Sequence, residues 1–232
     1  MMNKVLCSLL LFLSISCGLQ GRNANYARDS KRIWLDSKEI HHGEYVWKMK
    51  KAGDVISSAE KVSTLGYDTS DWLSAIVPGT VLNSLVYNKE YPEPYYGVNN
   101  KLESGKIPDI SKVGREFYTY WFRTEFDVPE SFAGKTIWLQ PDGVNYRAEI
   151  WVNGNLLSTL NGMFISDYIN VTDFVKVGRK NILAVKVYPV DVPGTTMPKS
   201  WGATGEFHNG GNGNIGLNTT MLMSVGWDFN FM

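Results

Sequence analysis

Between residues 117 and 128 the chain reads FYTYWFRTEFDV, and this run restricts the fold more than any other. Tyr118, Tyr120, Phe122, Thr124 and Phe126 fall on one side, Thr119, Trp121, Arg123 and Glu125 on the other. Side chains alternate between faces only in a strand, so this period of two predicts a long strand with one face in a core. Pro129 ends it, having no amide to give a ladder. Shorter runs repeat the pattern: Ile137 and Leu139; Ala148, Ile150 and Val152; Leu183, Val185 and Val187. Asn153-Gly154 follows directly on the second of these and predicts a tight hairpin into 156–160, because both central residues of such a turn need positive φ. Glu149 and Trp151 point away from the core, so Trp151 needs a second packing partner, expected beneath a sheet or a loop.

Further short runs at 33–35, 45–49, 164–168, 170–175 and 219–225 read as strands or strand ends, and Pro78-Gly79 punctuates a turn within 76–81. Helix is scarce: a weak stretch at 57–65 and one turn at 80–86, with Val81, Leu82 and Leu85 inward. Many short strands at close spacing and almost no helix predict an all-β, antiparallel sandwich or jelly roll. Residues 191–218 differ in kind, with seven glycines and little apolar periodicity, and read as a long loop, either functional or disordered.

The N-terminus reads as a targeting signal. Lys4 supplies the charge, and 5–15 is an apolar run of secretory length but too short to span a bilayer. Ser14-Ile15-Ser16-Cys17-Gly18 resembles a bacterial lipobox in which Cys17 would be lipidated, with Ser14 where leucine is usual. The expected division is 1–17 signal, 18–31 linker and 32–232 sandwich. The expected location is the periplasm, or the outer membrane through a lipid anchor, of a Gram-negative bacterium. Cys7 lies inside the signal, so the mature chain would hold no disulfide.

Lysine plus arginine and aspartate plus glutamate both number 23, so no net field recruits nucleic acid. The common catalytic groupings are missing. His41 and His42 are adjacent, and adjacent residues in a strand face opposite ways; His208 is distant. No phosphate loop or Gly-x-Ser-x-Gly elbow is present, and no metal or cofactor is expected. Asp142 and Asp173 sit in turn contexts that suit amide acceptance. The stronger signal is rings in predicted loops: Trp72, Tyr95, Tyr96, Trp201 and Trp227. Flat C–H faces of sugars pack on such rings while hydroxyls meet Asp, Asn and Arg, which points to carbohydrate.

Several motifs in order extend that reading. Val77-Pro78-Gly79-Thr80-Val81, Pro94-Tyr95-Tyr96-Gly97-Val98-Asn99 and Tyr120-Trp121-Phe122-Arg123-Thr124 resemble the N-terminal sugar-binding domain of family 2 glycoside hydrolases. The stretch from Gly143 to Gly154, then Asn181 to Val187, then Gly226-Trp227-Asp228-Phe229 continue the likeness. It is nearest the exo-β-glucosaminidase and β-mannosidase branch, where Trp is usual in place of Phe229. The resemblance implies a galactose-binding-like jelly roll. It also implies immunoglobulin-like and TIM-barrel domains beyond this one, the barrel carrying the acid/base and nucleophile glutamates. This chain alone would then hold no catalytic residue and be inactive. Asn99, Trp227 and Asp228 would be its contacts to a β-linked glucosamine, mannose or galactose sugar. A stand-alone carbohydrate-binding lipoprotein is the alternative.

Overall fold

The computed structural model describes residues 32–39, 43–99, 102–108, 113–145, 147–162 and 165–189, and the backbone of 4–9. Ten strands are present among them: β1 (Lys4–Leu9), β2 (Arg32–Trp34), β3 (Trp47–Lys51), β4 (Leu73–Ser74), β5 (Tyr120–Asp127), β6 (Thr136–Pro141), β7 (Arg147–Val152), β8 (Asn155–Asn161), β9 (Ile169–Asn170) and β10 (Lys180–Tyr188). Two short helices accompany them, α1 (Ala59–Val62) and α2 (Val81–Tyr87). The strands form a six-stranded sheet in the order β4-β3-β5-β10-β7-β8 and a four-stranded sheet in the order β2-β1-β6-β9. Every pairing in the larger sheet is antiparallel.

The alternation in the sequence becomes the core. Met49, Phe122, Phe126, Ile150, Leu183 and Val185 from the large sheet meet Ile137, Leu139 and Ile169 from the small one in one apolar cluster. This is the two-layer packing of a β-sandwich, and it agrees with the expected fold class. A second, smaller cluster lies on the other side of the large sheet: Trp121, Trp151 and Ala184 beneath Val62 and Trp72. Segment 52–72, including α1, is therefore a lid on half of that outer face. Trp151, only 8% exposed, is covered by this connection, as its outward direction required.

The hairpin turn forms as read. Asn153 (φ 47°) and Gly154 (φ 87°) both lie in the left-handed region, and the Gly154 amide donates to the Ser63 carbonyl (3.0 Å), tying the turn to the end of α1. Arg123 completes the same junction from β5. Its Nε donates to the Val62 carbonyl and its guanidinium NH2 to that of Thr64, each at 3.0 Å, so a buried cation terminates α1. Burial pulls this guanidinium below its ordinary pKa, with Glu125 opposing the shift.

Three local readings need correction. Phe117 and Tyr118 belong to a 3-10 turn (Arg115–Tyr118), so the long strand begins at Tyr120. The Tyr118 hydroxyl donates to the Pro108 carbonyl (2.8 Å), which directs that ring out of the ladder. The runs at 164–168 and 170–175 yield only β9, Ile169–Asn170. There the Asn170 side-chain oxygen accepts from the Thr172 amide (3.0 Å) and hydroxyl (2.6 Å), and this side-chain turn ends the strand.

The leader expectation falls mostly on residues outside those described. The backbone of Lys4–Leu9 is extended and parallel to both β2 and β6. A continuous apolar run suits a strand paired on both sides as well as a secretory core, and periodicity does not separate the two.

Candidate functional site

The loop after α2 is the first place to seek a sugar contact. The Val-Pro-Gly-Thr motif builds its base. Val77 exchanges hydrogen bonds with Ser37, donating to its hydroxyl (3.0 Å) and accepting from its amide (2.7 Å). A Cβ at Gly79 would stand 2.7 Å from the Ile76 carbonyl oxygen, so no larger residue fits. The Thr80 hydroxyl accepts from the Asn83 amide (2.9 Å) and caps α2. The motif is scaffolding that aims the loop.

Within the loop, Asn99 is 6% exposed. Its side-chain amide donates to the Glu93 carbonyl and its side-chain oxygen accepts from Lys106 Nζ, each at 2.8 Å. The Ser104 hydroxyl donates to its main-chain carbonyl (3.2 Å). Asn99 thus ties Glu93, Ser104 and Lys106 together, and its polar groups face these residues. Tyr95 and Tyr96 are the rings this knot presents outward, 50% and 78% exposed, with Gly97 at φ 58° making the turn between them and Asn99. Trp72, grouped with them on sequence, is instead buried edge-on against Tyr67, with centroids 6.0 Å apart, in the outer cluster. Trp201, Trp227, Asp228 and Cys17 lie outside the described residues.

Sites of other kinds are sparse. A cavity among the described residues is lined by Ile33, Phe126, Phe132, Ile137, Leu139 and other apolar side chains, so it offers a ligand no hydrogen bond. Among the described residues no group of three or more His, Cys, Asp or Glu side chains could hold a metal ion. Burial pushes the Tyr120 hydroxyl up to about 12, and it raises Tyr91 as well. Both tyrosines stay neutral under ordinary conditions. Sequence reasoning noted Glu149 as outward-facing but assigned it nothing. In the structure it is the hub of a polar and aromatic group with Tyr188, whose hydroxyl donates to it at 2.6 Å. The strand alternation was the available signal, since it places Arg147, Glu149, Lys186 and Tyr188 on one face.

A mostly antiparallel two-layer sandwich with ring-bearing loops at its edge is the architecture of galactose-binding-like domains. The chain belongs to that domain family of the glycoside hydrolases: the family model described as glycosyl hydrolase 2 galactose-binding domain-like matches residues 47–231. It is 38% identical over 161 residues to the mannosylglycoprotein endo-β-mannosidase of Lilium longiflorum, covering 69% of this chain and 16% of that protein. It is 29% identical over 149 residues to the exo-β-D-glucosaminidase of Amycolatopsis orientalis, covering 63% of this chain and 13% of that enzyme. Among solved structures, the A. orientalis exo-chitosanase in complex with PNP-β-D-glucosamine superposes with a TM-score of 0.53 at 27% identity, covering 63% of this chain and 16% of that one. The chain therefore spans about one sixth or less of the length of these relatives, and it corresponds to the N-terminal domain of family 2 glycosidases.

Proposed function

We propose that this chain is the carbohydrate-handling accessory domain of an exported family 2 β-glycosidase, acting beside immunoglobulin-like and barrel domains that perform hydrolysis. The observation that carries the reading is the family match over 47–231, in a chain that spans only 16% of its endo-β-mannosidase relative. The exposed Tyr95 and Tyr96 support a role at a sugar, since their rings stand out of a loop braced from within. On this reading Asn99 positions those rings, while Trp227 and Asp228 remain the expected direct contacts to a β-linked glucosamine, mannose or galactose residue. Export rests on Lys4 and the apolar run behind it, with Cys17 as the anchor point.

The test is catalytic. The purified chain should release no nitrophenol from the β-glucosaminide, β-mannoside and β-galactoside substrates; turnover that falls in a point variant of the chain would overturn the proposal. Mass spectrometry of the protein recovered from a membrane fraction should show loss of residues 1–16 and a lipid on Cys17. An intact Met1 would sink the export reading.

A further inference from the structure

The outer face of the large sheet is divided across its strands. Near the β7–β8 turn, Trp151 and Ala184 are sealed beneath segment 52–72. One row further along, the cover stops at Trp121. There the residues directly opposite one another are Trp121 on β5, Lys186 on β10 and Glu149 on β7, with Tyr188 beyond on β10. Opposite residues on one face hold their Cβ atoms roughly 5 Å apart, so Lys186 and Glu149 are placed to form an ion pair. They do not form one.

Glu149 instead accepts from the Tyr188 hydroxyl (2.6 Å) and the Trp151 indole N–H (3.1 Å). The Lys186 ammonium lies over two rings, 5.7 Å from the Trp121 centroid and 5.2 Å from that of Tyr188. Among the described residues that ammonium has no hydrogen-bond acceptor, and Glu149, Lys186 and Tyr188 are all half-buried. A carboxylate offers about four lone-pair directions, of which two are taken here. The arrangement is a fixed acceptor beside an unspent donor, next to an aromatic surface.

We propose that this row is a binding site for a neutral hexopyranose unit. One ring hydroxyl accepts from Lys186, a neighbouring hydroxyl donates to Glu149, and the sugar's C–H surface packs on the exposed part of Tyr188. Local charge favours a neutral ligand: Lys186 and Arg147 are balanced near Tyr188 by Glu149 and Glu116, and Lys50, opposite Trp121 in the same row, is paired with Asp71, so no net field selects an acid or an amine. Sugar as the ligand class rests on the proposed glycan-handling role; the position of the site rests on the side chains alone. It is distinct from the Tyr95–Tyr96 loop, which other residues support.

Calorimetric titration of the full chain with neutral β-linked manno- and galacto-oligosaccharides, against a glucosamine oligomer and a uronic acid oligomer, tests it. The neutral oligomers should bind. Lys186→Met, which keeps the apolar stem, should weaken binding at least tenfold with the circular dichroism spectrum unchanged. Lys186→Arg, which keeps a donor, should recover part of the loss. Saturation-transfer NMR should report contact with the Tyr188 ring protons. Tighter binding of the uronic acid or glucosamine oligomer that is lost in Lys186→Met would overturn the neutral-ligand assignment. So would equal binding by wild type and Lys186→Met, or loss in Tyr96→Ala alone, which would move the site to the loop. Absence of all binding overturns this site but leaves the accessory-domain reading standing, because nitrophenyl hydrolysis decides that separately.

Discussion

Single polar side chains hold the junctions of this sandwich. Asn181 is completely buried at the start of β10. Its side-chain NH2 donates to the carbonyls of Lys176 and Arg179 (2.9 Å each), and its oxygen accepts from the Lys176 amide (2.7 Å) and the Asn153 side chain (2.8 Å). Asn181→Ala removes the partner of each and should cost about 1–3 kcal/mol, read as a lower urea midpoint at constant slope. Asn181→Asp should cost more, since a carboxylate faces two carbonyl oxygens where an NH2 stood. Asn99 works in the same way in its loop. We expect Asn99→Ala to speed amide exchange across 93–106 at least tenfold with no sugar present; exchange as slow as wild type would return Asn99 to the role of a direct ligand contact. The sequence motif marked Asn99 as worth attention, but a motif does not say which way a side-chain amide points. That direction is set here by Lys106 and Glu93, whose spacings of seven and six residues carry no periodic signal.

At the scale of elements, legibility followed how much of the information was local. The period of two located β5, β6, β7 and β10 to within about three residues, and Asn153-Gly154 located the hairpin. Gly154→Ala makes the hairpin testable. Its φ of 87° disfavours any Cβ, and the added methyl would stand 3.4 Å from Thr64 Cγ2. A loss of about 1 kcal/mol is expected, lowering Tm by roughly 2–4 °C in a chain of this size. Elements fixed by distant partners were harder to read. β4 is the two residues Leu73–Ser74, held because Asn88 accepts from the Ser74 amide (3.2 Å) and donates to its carbonyl (2.7 Å). Trp72 looked like a loop ring because nothing near it in sequence reveals that 52–72 folds over the sheet. The outer face showed the same limit: alternation put Glu149 and Trp151 on it, but only the register set Lys186 beside Glu149.

For the whole molecule, the core between the two sheets holds a phenol, Tyr120, whose hydroxyl must stay protonated. Tyr120 is 6% exposed, and burial raises its pKa from the ordinary 10 to about 12. A folded-state pKa above the unfolded value means that stability is fully present below pH 10 and is lost as pH rises through about 12. Titration with base should therefore remove on the order of 2–3 kcal/mol of stability through Tyr120 across that window, and Tyr120→Phe should flatten that part of the fall, while Tyr188 and Tyr91, also raised by burial, keep the rest. A second consequence follows from the unequal cores. The main cluster spans both sheets, whereas the cover over the outer face rests on five buried residues: Val62, Trp72, Trp121, Trp151 and Ala184. Three of these are indoles. The molecule thus carries a built-in optical reporter on its less cooperative half. The part of the indole emission that Trp72→Phe removes should change at lower denaturant than the far-ultraviolet signal of the strands, registering the lid's release while the sandwich, reported by Trp47 in the main cluster, is still closed.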